Sequence, residues 1–394
     1  MKKQTQAIHL EYERRDAYDS LSVPVYNTLA YEFDNAAVMA EAFTDKIKAP
    51  DYSRVENPTV TNLERRVAAL TDAAHATAFN SGMAAISNTI MALAAQGKNI
   101  VTSKHLFGNT YALLVATLRR FGVKVRLRDL TNIEAVREAI DDDTCCVFLE
   151  ILTNPQLEVA DLKAISEVAH EKNVPLVVDS TVIPFTQFSA KSLGVDIEVV
   201  SSSKYVSGGA TSLGGLVIDY GTPYNGDFAK RLYGEMLFNF GAYMTPQVAY
   251  MQTIGLETLD ARYRVQSSNA LELAKKLRSL PQIKYVNYVG LEDNPYHELV
   301  QRQFGKTAGA MICIDLESKE ACFSFLNNLK LIHRATNLFD NRSLAIHPAS
   351  TIFGAFSESM RKSMDVKDTT IRLSVGLEDV DDLFEDIKQA VNSL

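Results

Sequence analysis

Between residues 60 and 250, short continuous apolar runs alternate with stretches in which apolar residues recur every three or four positions. The first pattern predicts buried strands, and the second predicts helices with one apolar face. The predicted strands cover residues 99–102, 123–127, 145–149, 175–179, 196–200 and 213–218. The predicted helices cover residues 62–74, 81–96, 111–121, 133–140 and 162–172. This alternation predicts an α/β fold with a mainly parallel sheet that helices cover on both faces.

The pattern changes on either side of this region. Residues 1–60 show no sustained period, which predicts an arm that packs on another surface. Beyond residue 250 we predict a long helix at 257–280, apolar strands at 283–289 and 308–316, and helices at 321–329 and 380–391. The chain is therefore predicted to have an arm (1–60), a larger domain (61–255) and a smaller C-terminal α+β domain (256–394).

Composition and charge exclude several classes of function. The 394 residues are 46% hydrophobic and 22% charged, as expected for a globular protein. The four cysteines form no CxxC pair, which predicts buried thiols in a reducing compartment without a metal or disulfide framework. A net charge of −8 argues against nucleic acid as a partner. We find no signal-peptide pattern and no apolar stretch long enough for a membrane span, so we expect a cytoplasmic protein.

A strand-end carboxylate and a lysine surrounded by hydroxyls form the most informative pair in the chain. Asp179 ends an apolar run, and Lys204 follows three serines and precedes two glycines. A lysine can bind pyridoxal phosphate as a Schiff base, and a carboxylate can keep the pyridine nitrogen protonated. Most lysines are solvated surface charges and most strand-end aspartates cap a turn, so the pair alone leaves both interpretations open.

A phosphate site is predicted where Ser81, Gly82 and Met83 open a helix. Free backbone N–H groups and the helix dipole favour an anion there, and glycine permits a close approach. Ser201 and Ser203 flank the lysine and can reach the same phosphate. The alternative is an ordinary N-cap serine with no ligand.

Two arginines also occur in suggestive surroundings. Arg54 lies close to Tyr52 in the arm, and together they can bind a phosphate, although the segment also fits a turn before a helix. Arg372 lies inside an apolar run, where a buried guanidinium needs an anionic partner. The carboxylate of an amino-acid substrate and a structural ion pair are both candidates for that partner.

Taken together, these features resemble the Cys/Met-metabolism family of pyridoxal phosphate enzymes over essentially the full chain. The landmarks that carry the resemblance are Tyr52 to Arg54, Asn57 to Thr59, Ser81 to Ala85, Asn154-Pro155, Asp179, Ser201 to Tyr205, His347 to Ser350 and Arg372 to Gly376. The resemblance implies the type I aminotransferase fold. It also implies a homotetramer built from two catalytic dimers, in which the arm of one chain enters its neighbour's site.

The resemblance implies a role for each of these residues. Lys204 is expected to bond to the cofactor, and Asp179 to contact the pyridine nitrogen. The other cofactor-binding candidates of the same chain are Ser81, Gly82, Met83, Phe107, Thr181, Ser201 and Ser203. Tyr52 and Arg54 are expected to bind the phosphate from the neighbouring chain, with Tyr52 also a candidate proton donor. The predicted substrate-binding residues are Asn154, Arg372, Asn337 and Leu338.

Two motifs depart from the usual family pattern. Phe107 replaces a tyrosine that stacks on the cofactor and moves protons, and phenylalanine can only stack. Asn337 begins a motif in which lyases usually have serine, and Phe339 replaces a glycine and is expected to alter the pocket. These departures favour γ-replacement on O-acetylhomoserine with sulfide or a thiol. The alternatives are cystathionine γ-synthase or O-succinylhomoserine sulfhydrylase, then a methionine or cystathionine γ-lyase, and finally a non-catalytic cofactor-binding relative.

Overall fold

The structure, a computed structural model, describes residues 1–10, 16–44 and 46–394. Residues 11–15 and 45 of the predicted arm lie outside the described residues. The strands are β1 (His75–Phe79), β2 (Asn99–Ser103), β3 (Lys124–Arg128), β4 (Thr144–Glu150), β5 (Leu176–Asp179), β6 (Ile197–Val200), β7 (Gly215–Asp219), β8 (Tyr285–Asn287), β9 (Met311–Asp315), β10 (Leu344–Ile346) and β11 (Thr370–Ser374). The helices are α1 (Lys3–His9), α2 (Ala36–Ala42), α3 (Pro58–Thr71), α4 (Gly82–Leu93), α5 (Gly108–Ala112), α6 (Ile133–Ala139), α7 (Leu162–His170), α8 (Phe228–Arg231), α9 (Phe238–Phe240), α10 (Pro246–Glu257), α11 (Leu259–Leu277), α12 (His297–Phe304), α13 (Lys319–Asn328), α14 (Glu358–Ser363) and α15 (Val380–Val391).

The larger sheet has seven strands in the order β1-β7-β6-β5-β4-β2-β3. Neighbours from β6 to β3 are parallel, whereas β7 runs antiparallel to both β1 and β6. The central strands are apolar along nearly their whole length because both faces of the sheet are covered. The prediction of a mainly parallel α/β sheet is confirmed.

Parallel order at the centre of this sheet determines where polar side chains gather. Glu150 ends β4 and pairs in register with Asp179, the last residue of β5. Strand β6 ends at Val200, and the loop that carries Lys204 follows directly. Because parallel strands end at the same edge, these groups meet in the crevice where ligands of open α/β sheets bind.

The smaller sheet is antiparallel, in the order β10-β11-β9-β8. Its strand β11 has β9 on one side and β10 on the other, and it carries Arg372 in register with Cys313 and Ile346. Helices α11 and α13 pack against this sheet, and α15 packs against both of them. This arrangement brings one internal strand of the second sheet towards the crevice of the first.

Several predicted elements differ from the observed ones. Helix α4 ends at Leu93 rather than at residue 96, and the predicted helix at 111–121 passes from α5 into a π-helical turn (Leu113–Thr117) and a 3₁₀ turn (Leu118–Phe121). The elements that sequence patterns missed are α1, α2, β1, α8, α9, α10, α12, β10 and α14. All of them except α10 are short, at three to eight residues, so they show too few periods for the apolar pattern to be distinctive. No described helix is both long and apolar enough to cross a membrane. The three-part domain division stays a prediction.

Candidate active site

A cavity of about 490 Å³ lies at the carboxyl ends of β4, β5 and β6. It is lined by Gly82, Met83, Ile86, Phe107, Glu150, Asn154, Asp179, Thr181, Val182, Ser201, Lys204, Thr336, Asn337, Leu338, Thr351, Ile352 and Arg372. Residues from both sheets contribute, so the cavity opens between the two halves of the fold. Most of the residues that the sequence singled out therefore meet in one place.

Lys204 lies on the loop after β6 and projects its amine into the cavity. The Nζ atom donates a hydrogen bond to Oδ1 of Asn337 at 2.6 Å. Burial and, to a lesser degree, the positive charge of Arg372 lower the pKa of the Lys204 amine to about 8. An amine with such a pKa is partly neutral near physiological pH, which both a carbonyl-reactive nucleophile and a general base require.

A pair of carboxyl groups forms the floor of the cavity. Oδ1 of Asp179 accepts a hydrogen bond from the backbone N–H of Thr181 at 2.9 Å. Beside it, Oε1 of Glu150 accepts one from the backbone N–H of Phe107 at 2.5 Å. Burial and the neighbouring Asp179 charge raise the pKa of Glu150 well above its usual range. Burial also raises the pKa of Asp179, but hydrogen bonds from Thr181 oppose that rise, so Glu150 keeps its proton in preference to Asp179.

The start of α4 forms a tight cradle at one end of the cavity. A Cβ atom on Gly82 would lie 2.6 Å from Cβ and 2.7 Å from Oγ of Ser201, so only glycine fits. The backbone N–H of Ser201 donates to Oγ1 of Thr181 at 2.8 Å, which fixes the facing loop. Free N–H groups at a helix start, a missing side chain and a facing hydroxyl together suit a phosphate group.

Arg372 provides the cationic end of the cavity. Its side chain is 3% exposed, and it donates to Oδ1 of Asn154 at 3.2 Å and to the backbone oxygen of Asn337 at 3.0 Å. Both acceptors are uncharged, and Nε has no partner among the described residues. Burial lowers the pKa of the guanidinium to about 10, so it stays charged at neutral pH. A buried cation with uncharged partners requires an anion, and a substrate carboxylate meets that requirement.

Four predicted site residues lie away from this cavity. The Ser81 hydroxyl accepts from the backbone N–H of Ala84 and caps α4. The Ser203 hydroxyl exchanges hydrogen bonds with the backbone of Gly214. Contact of Ser81 and Ser203 with the cofactor stays a prediction. The other two, Tyr52 and Arg54, do not line the cavity of their own chain.

The arm residues contact each other and the large domain. The guanidinium carbon of Arg54 lies 5.5 Å from the centre of the Tyr52 ring, and Nη1 donates to the backbone oxygen of Phe238 at 2.5 Å. Tyr52 is 41% exposed. Their entry into the site of a neighbouring chain stays a prediction.

The two departures in the sequence have different consequences. Phe107 lines the cavity, and its backbone is tied to Glu150, so a phenyl ring occupies the place of the expected tyrosine. Phe339 does not line the cavity, contrary to the expectation that it alters the pocket. It is fully buried against Tyr205, with ring centres 4.1 Å apart and an interplanar angle of 11°. Its φ of +57° strains a phenylalanine backbone by roughly 1–3 kcal/mol.

Sequence reasoning missed Glu150 and the wall formed by Thr336, Thr351 and Ile352. A signal for Glu150 was present, because it ends an apolar run just as Asp179 does. No comparable signal marks the wall, since threonine and isoleucine are common on any loop.

A family model of Cys/Met metabolism PLP-dependent enzymes matches residues 4–392. The chain belongs to this family. Among its relatives, an L-methionine gamma-lyase of Fusobacterium nucleatum subsp. polymorphum is 37% identical, over 99% of this chain and 98% of the relative. An O-acetyl-L-homoserine sulfhydrylase of Corynebacterium glutamicum is 32% identical, over 98% and 95%. An O-succinylhomoserine sulfhydrylase of Pseudomonas aeruginosa is 34% identical, over 97% and 93%.

A solved structure from Campylobacter jejuni, described as an O-acetylhomoserine (thiol)-lyase, superposes with a TM-score of 0.95 at 34% identity, covering 100% of both chains. That protein carries N'-pyridoxyl-lysine-5'-monophosphate. The fold of the family is therefore the fold of this chain. The chain is a pyridoxal phosphate-dependent enzyme of sulfur amino-acid metabolism. The cavity fits this cofactor, because it offers a glycine cradle for a phosphate, a carboxylate for a ring nitrogen and a lysine amine.

Proposed function

We propose that the enzyme catalyses γ-replacement on O-acetylhomoserine, in which sulfide or a thiol replaces the acetoxy group. With sulfide, the Cγ–O bond breaks, a Cγ–S bond forms, and homocysteine and acetate leave. The observation that carries this choice is the phenyl ring of Phe107 in the cavity, where the family usually places a tyrosine hydroxyl.

In this proposal the substrate is oriented first. Arg372 binds its carboxylate through a charge-assisted contact, and the amide of Asn154 lies beside that contact. The buried position of Arg372 makes the contact strong and excludes water from the carboxylate. A substrate without a carboxylate would leave the buried charge unpaired, so the site selects amino acids.

Proton movement falls to Lys204 and Asp179. Bound pyridoxal phosphate supplies an electron sink for the substrate carbon that bears the amino group. Lys204 Nζ removes the proton from that carbon and later returns it, since burial lowers the pKa of the amine to about 8. Asp179 keeps the ring nitrogen protonated, and the neutral Glu150 beside it places no second charge there.

The leaving group decides between replacement and lyase chemistry. A thiolate departs from methionine or cystathionine more easily when an acid protonates the sulfur, whereas acetate is a stable anion without such help. Phe107 cannot donate a proton, so this position favours an acyl ester. Tyr52 from a second copy of the chain is the other candidate acid in the site.

The relatives support both chemistries. The C. glutamicum sulfhydrylase and the C. jejuni structure favour O-acetylhomoserine, and the P. aeruginosa relative makes O-succinylhomoserine an alternative ester. Methionine γ-elimination is the second candidate, because the 37%-identical relative is an L-methionine gamma-lyase. Cystathionine γ-synthase chemistry differs from the proposal only in ester and thiol.

Steady-state rates on matched substrates test the proposal. Purified holoenzyme is given O-acetyl-, O-succinyl- or O-phosphohomoserine with sulfide or cysteine, and methionine alone, and homocysteine, cystathionine and methanethiol are quantified. We expect the highest kcat/KM with O-acetylhomoserine and sulfide. Faster release of methanethiol from methionine would contradict the proposal and favour the lyase.

We also propose that the chain assembles as a homotetramer in the cytoplasm. The support is that Tyr52 and Arg54 lie outside their own cavity, and that apolar side chains such as Leu213, Met251 and Ile254 are 40–71% exposed. Light scattering coupled to gel filtration measures the assembly. A monomer with full activity would contradict a site completed by a second copy.

A further inference from the structure

A segment of the smaller half of the fold, residues 337–341, lies alongside the loop that carries Lys204. Every second residue of this segment contacts that loop. The three contacts join Asn337 Oδ1 to Lys204 Nζ at 2.6 Å, the Phe339 ring to the Tyr205 ring at 4.1 Å between centres, and Asn341 Nδ2 to the Gly208 backbone oxygen at 3.2 Å. The segment 337–341 therefore lies along the lysine loop 204–208.

Phe339 is the apolar contact at the middle of this segment. It is 0% exposed, and its backbone N–H donates to Oγ of Ser374 at 2.7 Å, two residues from Arg372 on β11. Its left-handed backbone persists because the surrounding contacts determine its position more strongly than local preference does. The Tyr205 ring also packs edge-on against the Tyr263 ring, with ring centres 5.2 Å apart.

This placement connects the stack to Lys204 and to Arg372. Asn337, two residues before Phe339, accepts from Lys204 with its side chain and from Arg372 with its backbone oxygen. Tyr205 follows Lys204 directly. A shift at the stack would therefore move the lysine loop relative to the segment that contacts its amine.

We propose that Phe339 is a positioning residue, and that its stack on Tyr205 sets the position of the Lys204 amine relative to Asn337 and Arg372. It touches neither the cavity nor the reacting atoms, so its effect passes through these neighbours. The inference rests on the role proposed for Lys204 and not on the choice of acyl ester.

Removing the ring from either side of the stack tests the inference. Phe339→Leu and Tyr205→Leu are compared as cofactor-saturated holoenzymes with Tyr205→Phe, which keeps the ring and removes only a hydroxyl. Because sub-ångström misplacement of a catalytic group is costly, we expect kcat to fall about tenfold or more in both leucine variants. Tyr205→Phe should stay within about twofold of the unmodified enzyme, and the double leucine variant should be about as slow as the slower single variant.

Phe325→Leu is the matched control, since Phe325 is also 0% exposed but lies in α13, which contributes nothing to the cavity. The control should lose thermal stability without a tenfold loss in kcat. Equal losses in kcat for Phe339→Leu and Phe325→Leu, or multiplicative losses in the double leucine variant, would overturn the inference. Should Phe339→Leu fail to fold, Tyr205→Leu against Tyr205→Phe still decides. Rates are measured with whichever substrate the unmodified enzyme turns over, so a wrong acyl ester leaves this test intact.

Discussion

Gly82→Ala is the sharpest test of the phosphate cradle, because the geometry gives both a direction and a magnitude. The added Cβ would lie 2.6 Å from Cβ, 2.7 Å from Oγ and 3.0 Å from Cα of Ser201. Real Cβ atoms do not approach so closely, and the facing atoms belong to a short side chain and to backbone, so the start of α4 must move. Overpacking of this kind costs about 1–3 kcal/mol.

We expect that cost to fall largely on cofactor binding, since the displaced atoms form the predicted phosphate cradle. A loss of 1–3 kcal/mol corresponds to a rise in the cofactor Kd of roughly 5- to 150-fold. Equilibrium dialysis followed by visible absorption of the retained cofactor measures this Kd. Gly234→Ala is the matched control, because a Cβ on Gly234 meets nothing within 4 Å.

A compensating change makes the test more specific. Ser201→Gly removes the side chain that the new Cβ would meet, so Gly82→Ala should weaken cofactor binding less in the Ser201→Gly background than in the unmodified enzyme. If Gly82→Ala binds the cofactor as tightly as the Gly234→Ala control, the phosphate does not lie against Gly82. An equal weakening by Gly82→Ala in both backgrounds would refute the steric explanation.

Three further predictions follow from the same structure. Phe107→Tyr should raise the rate of methanethiol release from methionine, relative to the rate of sulfhydrylation, at least about tenfold, because it restores a proton donor. An unchanged ratio of these two rates would show that this position does not select the leaving group. Arg372→Lys should raise the KM of the amino-acid substrate about 10- to 150-fold with a smaller change in kcat, since it keeps the charge but loses the paired donors; the exposed Arg278→Lys is its control, and an equal KM would argue against a carboxylate at Arg372. Burial raises the pKa of Glu64 to about 8. Protonated Glu64 therefore makes its full contribution to the free energy of unfolding below its ordinary pKa of 4.5. That contribution is lost as the pH rises through about 8, by no more than about 1.4 kcal/mol per pH unit. The free energy of unfolding in urea should fall less between about pH 6 and about pH 8 in Glu64→Gln than in the unmodified enzyme or in the exposed control Glu41→Gln. Equal decreases in the three proteins would contradict this pKa.

The sequence predicted the parts of the site that sit where strands end. Asp179 and the loop of Lys204 follow apolar runs, and parallel strands necessarily bring such ends together. Arg372 was predictable because a charge inside an apolar strand requires a partner. The family resemblance then joined these positions into one site, and the matching family model confirmed the family.

Other features depend on three-dimensional neighbours that no local pattern records. The Ser203 hydroxyl exchanges hydrogen bonds with the backbone of Gly214, which its position beside Lys204 does not reveal. Phe339 suggested a changed pocket, yet its ring packs on Tyr205 and does not line the cavity. The predicted contribution of Tyr52 to catalysis requires a neighbouring chain, and it stays a prediction.

Borohydride reduction of the holoenzyme, followed by peptide mass mapping, tests the central claim most directly. Reduction makes the lysine–cofactor bond permanent, so the modified residue can be read from the peptide masses. We predict a single pyridoxyl phosphate adduct on Lys204, absent from Lys204→Ala prepared in the same way. An adduct on a different lysine, or a holoenzyme in which Lys204 remains unmodified, would contradict the site described for this enzyme.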